Sequence, residues 1–99
     1  MKVVWSDEAI RALVALEARL ERRYTSSQAS RIVEELVRRV DRLEAFPQLG
    51  RAVPEYEQWQ LRELVDRWNR VFYRLRSDSI EIVTIAPARS TLDRGEEEM

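Results

Sequence analysis

Apolar residues recur at steps of three and four in two successive stretches near the start of the chain, which predicts two amphipathic helices. Ser6 stands where the first helix needs an N-cap, and residues 25–27 supply caps for the second. The short break between the two stretches indicates an antiparallel helical hairpin. The apolar positions are Ile10, Leu13, Leu16, Leu20 and Tyr24 in the first helix, and Ala29, Ile32, Leu36, Val40 and Leu43 in the second.

The second half of the chain changes to short runs rich in Val, Ile, Phe and Tyr, separated by Asp, Asn and Ser, which is typical of a strand meander. These runs are residues 61–65, 70–76 and 80–86, and an earlier run at residues 2–5 predicts a strand before the first helix. Residues 47–59 are predicted to be irregular because prolines and a glycine interrupt them. The predicted fold class is therefore α+β, in the order β-α-α-β-β-β.

The amino-acid composition argues against several classes of function. The 99 residues predict one domain, and 17 basic against 18 acidic residues argue against a protein that binds nucleic acid through bulk charge. The sequence has no cysteine, no metal-ligand spacing and no glycine-rich phosphate loop, so no metal and no cofactor is predicted. Neither a leader nor an apolar run of membrane-spanning length is present, so a cytoplasmic location is expected.

Arginine placement gives the candidate binding surface. Sixteen of the basic residues are arginines. Several of them lie within predicted strands whose other residues are mostly apolar and would be expected to be buried. Guanidinium groups on a sheet suit carboxylates or phosphates, and tryptophans at turns are candidate anchors for a partner. We therefore expect one face of the sheet to bind another macromolecule. The candidate partner-binding residues are Arg51, Trp59, Arg62, Trp68, Arg74 and Arg89.

Each candidate also has a structural interpretation. Arg62 and Arg74 could instead pair with a cross-strand acid such as Glu81, and the two tryptophans could cap the ends of the sheet. Arg70 and Arg76 are predicted to be solvated because they lie at strand ends. Tyr73 and Trp5 are predicted to belong to the core. The acidic end of the chain, residues 94–99, is predicted to be a disordered tail.

The order and spacing of these segments resemble the RelE/ParE superfamily of toxins from type II toxin–antitoxin pairs. The resemblance covers nearly the whole chain, with residues 1–93 as the toxin domain, and implies a helical hairpin packed on a small antiparallel sheet. It also implies a cognate, ParD-like antitoxin held in a hetero-oligomeric complex. It is carried by Val4-Trp5-Ser6 with Asp7-Glu8-Ala9, Phe46-Pro47-Gln48-Leu49-Gly50-Arg51, Leu61-Arg62-Glu63-Leu64, Arg70-Val71-Phe72-Tyr73-Arg74 and Ile80-Glu81-Ile82-Val83-Thr84-Ile85.

The resemblance leaves the target open, because RelE-like members cut mRNA in the ribosome whereas ParE-like members poison DNA gyrase. A metal-independent nuclease needs a proton acceptor and donor, yet the chain has no histidine and one lysine, Lys2. This favours a ParE-like, non-enzymatic inhibitor. The alternatives are a nuclease, in which Arg62, Arg74 and Arg89 would be catalytic through transition-state stabilisation, and a non-toxic binding module on the same fold.

Overall fold

The computed structural model describes residues 1–66 and 69–88, apart from the side chains of Gln58 and Trp59. Within these ranges the chain forms two α-helices, two short 3-10 helices and five strands. The α-helices are α1 (Asp7–Glu21) and α2 (Ser26–Asp41), the 3-10 helices are Arg42–Glu44 and Pro54–Trp59, and the strands are β1 (Lys2–Trp5), β2 (Arg51–Ala52), β3 (Arg62–Val65), β4 (Asn69–Leu75) and β5 (Ser79–Pro87).

Both helices begin where the sequence predicts. The Ser6 side chain accepts a hydrogen bond from the Ala9 amide, and Thr25 and Gln28 form a reciprocal capping box at the start of α2. The Ser6 hydroxyl also donates to the Val83 carbonyl of β5 at 2.9 Å, so the same residue ties α1 to the sheet. The predicted hairpin is confirmed.

The buried face of α1 is centred on Ala9 and Leu16, with Leu13 and Leu20 at its edge. Ile10 was expected on this face, but it is 48% exposed. A helix advances about 100° per residue, so the side chain of Ile10 lies a quarter turn away from that of Ala9. The helix and most of its apolar face were predicted correctly, but Ala9 occupies the place on that face that was expected for Ile10.

The described strands form one sheet in the order β1-β5-β4-β3-β2. The meander β3-β4-β5 is antiparallel as expected, whereas β1 pairs parallel to β5, so the sheet is mixed. The connection expected to be irregular contains β2, which pairs with β3 through two residues, and the second 3-10 helix. The α+β class and the helices packed on a sheet are confirmed.

The core lies between the helices and one face of the sheet. Val71, Tyr73, Ile80 and Ile82 contribute the sheet side of this core and are 0% exposed. Tyr73 is a core residue as predicted, and Trp5 packs against the core while remaining partly exposed. No helix within the described ranges is long and apolar enough to cross a membrane.

Candidate functional site

The face of the sheet that points away from the helices, here called the far face, carries most of the strand arginines. Neighbouring residues of a strand point to opposite faces. Because Val71 and Tyr73 face the helices, Arg70, Phe72 and Arg74 lie on the far face. The register adds Glu63 opposite Phe72, and Glu81 opposite Arg74.

An Arg–Glu–Arg cluster joins three strands on the far face. The Glu63 carboxylate accepts from Arg51 Nε at 2.5 Å and from Arg70 Nε at 2.7 Å. Glu63 and Arg70 are buried, whereas the side chain of Arg51 is 68% exposed. Arg70 also stacks on Phe72, with its guanidinium carbon 4.9 Å from the ring centroid. Because the cluster contains two guanidinium groups and one carboxylate, it carries one net positive charge.

The expectation that Arg70 is solvated was therefore wrong. Arg70 lies at the start of β4, but its side chain is covered and paired with Glu63 across the β3–β4 pair. An arginine is buried when a carboxylate and an aromatic ring compensate for the lost hydration. Glu63 accepts from both arginines and is therefore the centre of this cluster.

A second Arg–Glu–Arg cluster lies on the far face between β4 and β5. Glu81 accepts from Arg74 Nε at 2.9 Å, and Arg76 Nη2 lies 2.9 Å from the same carboxylate oxygen. The Arg74 hydrogen bond is the largest cause that lowers the pKa of Glu81 below its ordinary value of 4.5. The pairing of Arg74 with Glu81 matches the structural interpretation of this arginine, while part of its side chain remains accessible.

Arg62 belongs to a different part of the molecule. It lies opposite Tyr73 on β4, so Arg62 and Arg74 start from opposite faces of the sheet. Arg62 Nη1 donates to the Gly50 carbonyl at 2.6 Å, the Gly50 amide donates to the Tyr73 hydroxyl at 2.8 Å, and that hydroxyl donates to the Pro47 carbonyl at 2.9 Å. Burial raises the pKa of Tyr73 above 10.0, although Gly50 and Arg62 act to lower it.

The structure thus places the candidate binding residues in separate regions. Arg51 and Arg74 lie in the two far-face clusters, whereas Arg62 extends from the opposite face and bonds to the Gly50 carbonyl. Trp59 ends a 3-10 helix, but its side chain is outside the described part of the structure, as are Trp68 and Arg89 altogether. The predicted tail, residues 94–99, is likewise outside the described residues. Among the described residues no group of acids suits a metal ion.

Comparison with known proteins gives a consistent result. A family model described as "ParE toxin of type II toxin-antitoxin system, parDE" matches residues 3–92. A solved chain from the chromosomal ParDE system of P. aeruginosa superimposes with a TM-score of 0.77 at 24% sequence identity, over 88% of this chain and 95% of that chain. No curated protein matches the sequence significantly. Because the family model spans most of its length, this chain belongs to the ParE toxin family of type II toxin–antitoxin systems.

Proposed function

We propose that this chain is a toxin that stops bacterial growth in the cytoplasm by binding DNA gyrase, and that a cognate antitoxin neutralises it. The observation that carries the proposal is the match of the ParE family model over residues 3–92. The antitoxin partner follows from the two-component system in that family's description. The toxin domain is proposed to span residues 1–93.

The site geometry favours inhibition by binding over RNA cleavage. Three catalytic cations would have to converge on one phosphate, yet Arg62 and Arg74 leave the sheet on opposite faces. The side chains that could carry a proton in this region, Tyr73 and Glu63, are buried and hydrogen bonded internally. A phenol with a raised pKa is a poor proton acceptor at neutral pH.

The far face supports binding because each of its clusters keeps an excess guanidinium group. Arg51 is 68% exposed and Arg76 is 52% exposed, while their carboxylate partners are more enclosed. Exposed guanidinium groups held by a neighbouring acid are preorganised for carboxylates or phosphates of another macromolecule. A surface of this kind fits a protein–DNA complex such as gyrase on its DNA substrate.

Controlled expression in a bacterium tests the target. We expect growth arrest, induction of the SOS response and trapped gyrase–DNA complexes, and inhibition of supercoiling by purified gyrase in vitro. Codon-specific cuts in translated mRNA without trapped gyrase would replace the proposal with the nuclease alternative. Unchanged growth would support the non-toxic binding module.

Single substitutions test the candidate residues. Arg51, Trp59, Arg62, Trp68, Arg74 and Arg89 are each changed to Ala, with Arg31→Ala as the matched control because Arg31 is exposed on α2. We expect the candidate changes to weaken growth arrest and the control to keep it. Melting temperatures of the purified variants separate lost binding from lost folding. Full toxicity in all six variants would contradict this assignment of the binding surface.

A further inference from the structure

A cleft opens between the tip of the helical hairpin and one end of the sheet, on the face of the sheet that the helices cover. Among its described lining residues, Leu20, Tyr24 and Ile32 lie on the helix side, and Asn69 and Pro87 lie on the sheet side. These residues define the hairpin-tip cleft. Its volume is about 440 Å³, which is a size that suits a small molecule.

The floor of the hairpin-tip cleft holds a buried polar side chain. Asn69 is the first residue of β4, and alternation places its side chain on the same face as that of Val71, towards the helices. Asn69 is 2% exposed, yet its carboxamide makes no hydrogen bond with any residue that the structure describes. A buried polar group without a partner destabilises a folded protein and is rare in native structures, so this carboxamide needs an explanation.

A local role in the preceding turn does not explain the side chain of Asn69. Asparagine is favoured at turns because its side chain bonds to nearby backbone groups. Here the Asp66 carboxylate does this instead, since it accepts a hydrogen bond from the Asn69 amide at 2.9 Å. The Asn69 carbonyl accepts from the Asp66 amide, also at 2.9 Å. The backbone of Asn69 is therefore satisfied within the turn, while its carboxamide is left for another group in the cleft.

The rim of the hairpin-tip cleft is positive. Arg19, Arg22 and Arg23 line it near the end of α1, all three are exposed, and no acid is among the described lining residues. No ion pair or side-chain hydrogen bond joins any of them to the described part of the chain. Cations are favoured at the carboxyl end of a helix dipole, which accounts for basic residues at this place. It does not account for the unpaired carboxamide beneath them.

The walls between the rim and Asn69 are apolar. Leu16 is 4% exposed, and Leu20 and Ile32 are partly buried beside it. Tyr24 adds an aromatic ring that is 37% exposed. A ligand that matches the cleft therefore has a flat apolar body, a hydrogen-bonding edge for the carboxamide and more than one negative charge.

We propose that the hairpin-tip cleft binds a purine nucleotide. The Asn69 carboxamide offers a donor and an acceptor side by side, so it pairs with the matching edge of the base, as asparagine does with adenine. The base lies between the aliphatic walls and the Tyr24 ring. The phosphates meet Arg19, Arg22 and Arg23, because guanidinium groups bind phosphate oxygens through paired hydrogen bonds. A fatty acid fits less well, because an alkyl chain leaves the carboxamide unpaired.

Titration calorimetry on the purified full-length chain tests the site. The probes are ATP and GTP, together with adenosine and inorganic tripolyphosphate, which represent the two halves of a nucleotide. We expect a nucleotide to bind at least about tenfold more tightly than either half, because the base and the phosphates each make their own contacts. Raising the salt concentration weakens this binding, because the charge pairs at the rim are screened.

Substitution of Asn69 gives a readout that a purely structural residue would not give. Asn69→Leu weakens nucleotide binding by about tenfold or more, because leucine cannot pair with the base. The same change raises the melting temperature of the ligand-free protein, because it replaces a buried unpaired amide with an apolar side chain. A structural asparagine would lower the melting temperature when replaced.

Substitution of arginines locates the phosphates. The double variant Arg22→Ala/Arg23→Ala, at the end of α1, weakens nucleotide binding by about tenfold or more. The control Arg38→Ala/Arg42→Ala removes the same charge from the exposed end of α2 and retains binding. Thermal melts verify that each variant is folded.

Several outcomes would overturn the proposal. They are no binding of either nucleotide to the wild-type protein, tripolyphosphate or dodecanoate binding as tightly as the nucleotides, a lower melting temperature for Asn69→Leu, or equal affinities in the α1 and α2 double variants. The calorimetry uses neither gyrase nor living cells. Failure of nucleotide binding therefore leaves the gyrase function standing, and failure of the gyrase function leaves the nucleotide result standing.

Discussion

The hydroxyl of Tyr73 is the polar centre of an otherwise apolar core. It accepts a hydrogen bond from the Gly50 amide and donates one to the Pro47 carbonyl. The hydroxyl therefore satisfies two backbone groups of the link between α2 and β2. The ring contributes to the core on one side, while the hydroxyl fixes the backbone that precedes Arg51. One residue thus serves both the packing of the core and the position of the link to β2.

Replacing Tyr73 with Phe removes both bonds and leaves the buried Gly50 amide without its partner. We expect the free energy of unfolding to fall by about 1–3 kcal/mol, the cost of an unsatisfied buried group. Urea unfolding measures it. Tyr24→Phe is the control, because Tyr24 is 37% exposed, and it is expected to change stability by less than about 0.5 kcal/mol. Equal losses in both variants would mean that the hydroxyl of Tyr73 is not structurally important.

Gly50 is required by the same contacts. A methyl group at Gly50 would meet the Glu63 carbonyl and the Tyr73 ring at distances of 2.5 and 2.8 Å, so β2 would have to move away from β3. We expect Gly50→Ala to destabilise the protein by about 1–3 kcal/mol, as overpacking does. Urea unfolding and amide exchange at β2 measure this change. An Ala variant as stable as the wild type would show that the link adjusts freely.

At the scale of elements, the helices were predicted from local signals in the sequence. The arrangement of the strands depends instead on pairing between distant parts of the chain. Caps and periodicity act within a few residues, so α1, α2 and their hairpin are confirmed from the sequence. The two-residue strand β2 and the parallel pairing of β1 could not be predicted, because each exists only through a distant partner strand. The burial of Arg70 was missed for the same reason, since Glu63 becomes its neighbour only in the folded register.

The candidate site was predicted less completely than the fold. The sequence indicated which arginines lie on strands and that Arg74 could pair with Glu81, as it does. It could not indicate that Arg62 and Arg74 lie on opposite faces, because the alternation of side chains fixes faces only once the register is known.

The caps of the two helices should differ in their effect on stability. The Ser6 hydroxyl accepts from the Ala9 amide and also donates to β5, whereas the Thr25 hydroxyl serves only the exposed start of α2 among the described contacts. We expect Thr25→Ala to cost about 1 kcal/mol and Ser6→Ala to cost more, up to about 2 kcal/mol. Chemical unfolding compares them, with the exposed Ser27→Ala as control. A larger loss for Thr25→Ala would contradict the coupling of α1 to the sheet.

At the scale of the whole molecule, charge is locally ordered although it is nearly balanced in total. The acids Glu63 and Glu81 are each flanked by two arginines on the far face, so that face is positive while the chain has a net charge of −1. Both clusters cross strand boundaries and therefore link the sheet together. Their contribution to folding must depend on ionisation of the carboxylates, which gives a pH-dependent test.

Glu81 offers the clearest case, because its pKa lies below the ordinary value of 4.5 in the folded protein, chiefly through Arg74. A carboxyl whose pKa is lower when folded stabilises the protein above its unfolded pKa and loses that effect as pH falls through the folded value. At pH 7 we expect Glu81→Gln to be less stable than wild type by about 0.2–1 kcal/mol, since the pairs are partly exposed and screened. The difference in stability should close as the pH falls below 4.5 and should narrow in high salt.

Urea unfolding at a series of pH values measures this difference between Glu81→Gln and the wild type. Glu34→Gln, on the exposed face of α2, is the control. A gap that stays constant with pH would mean that Glu81 acts by its shape and not by its charge.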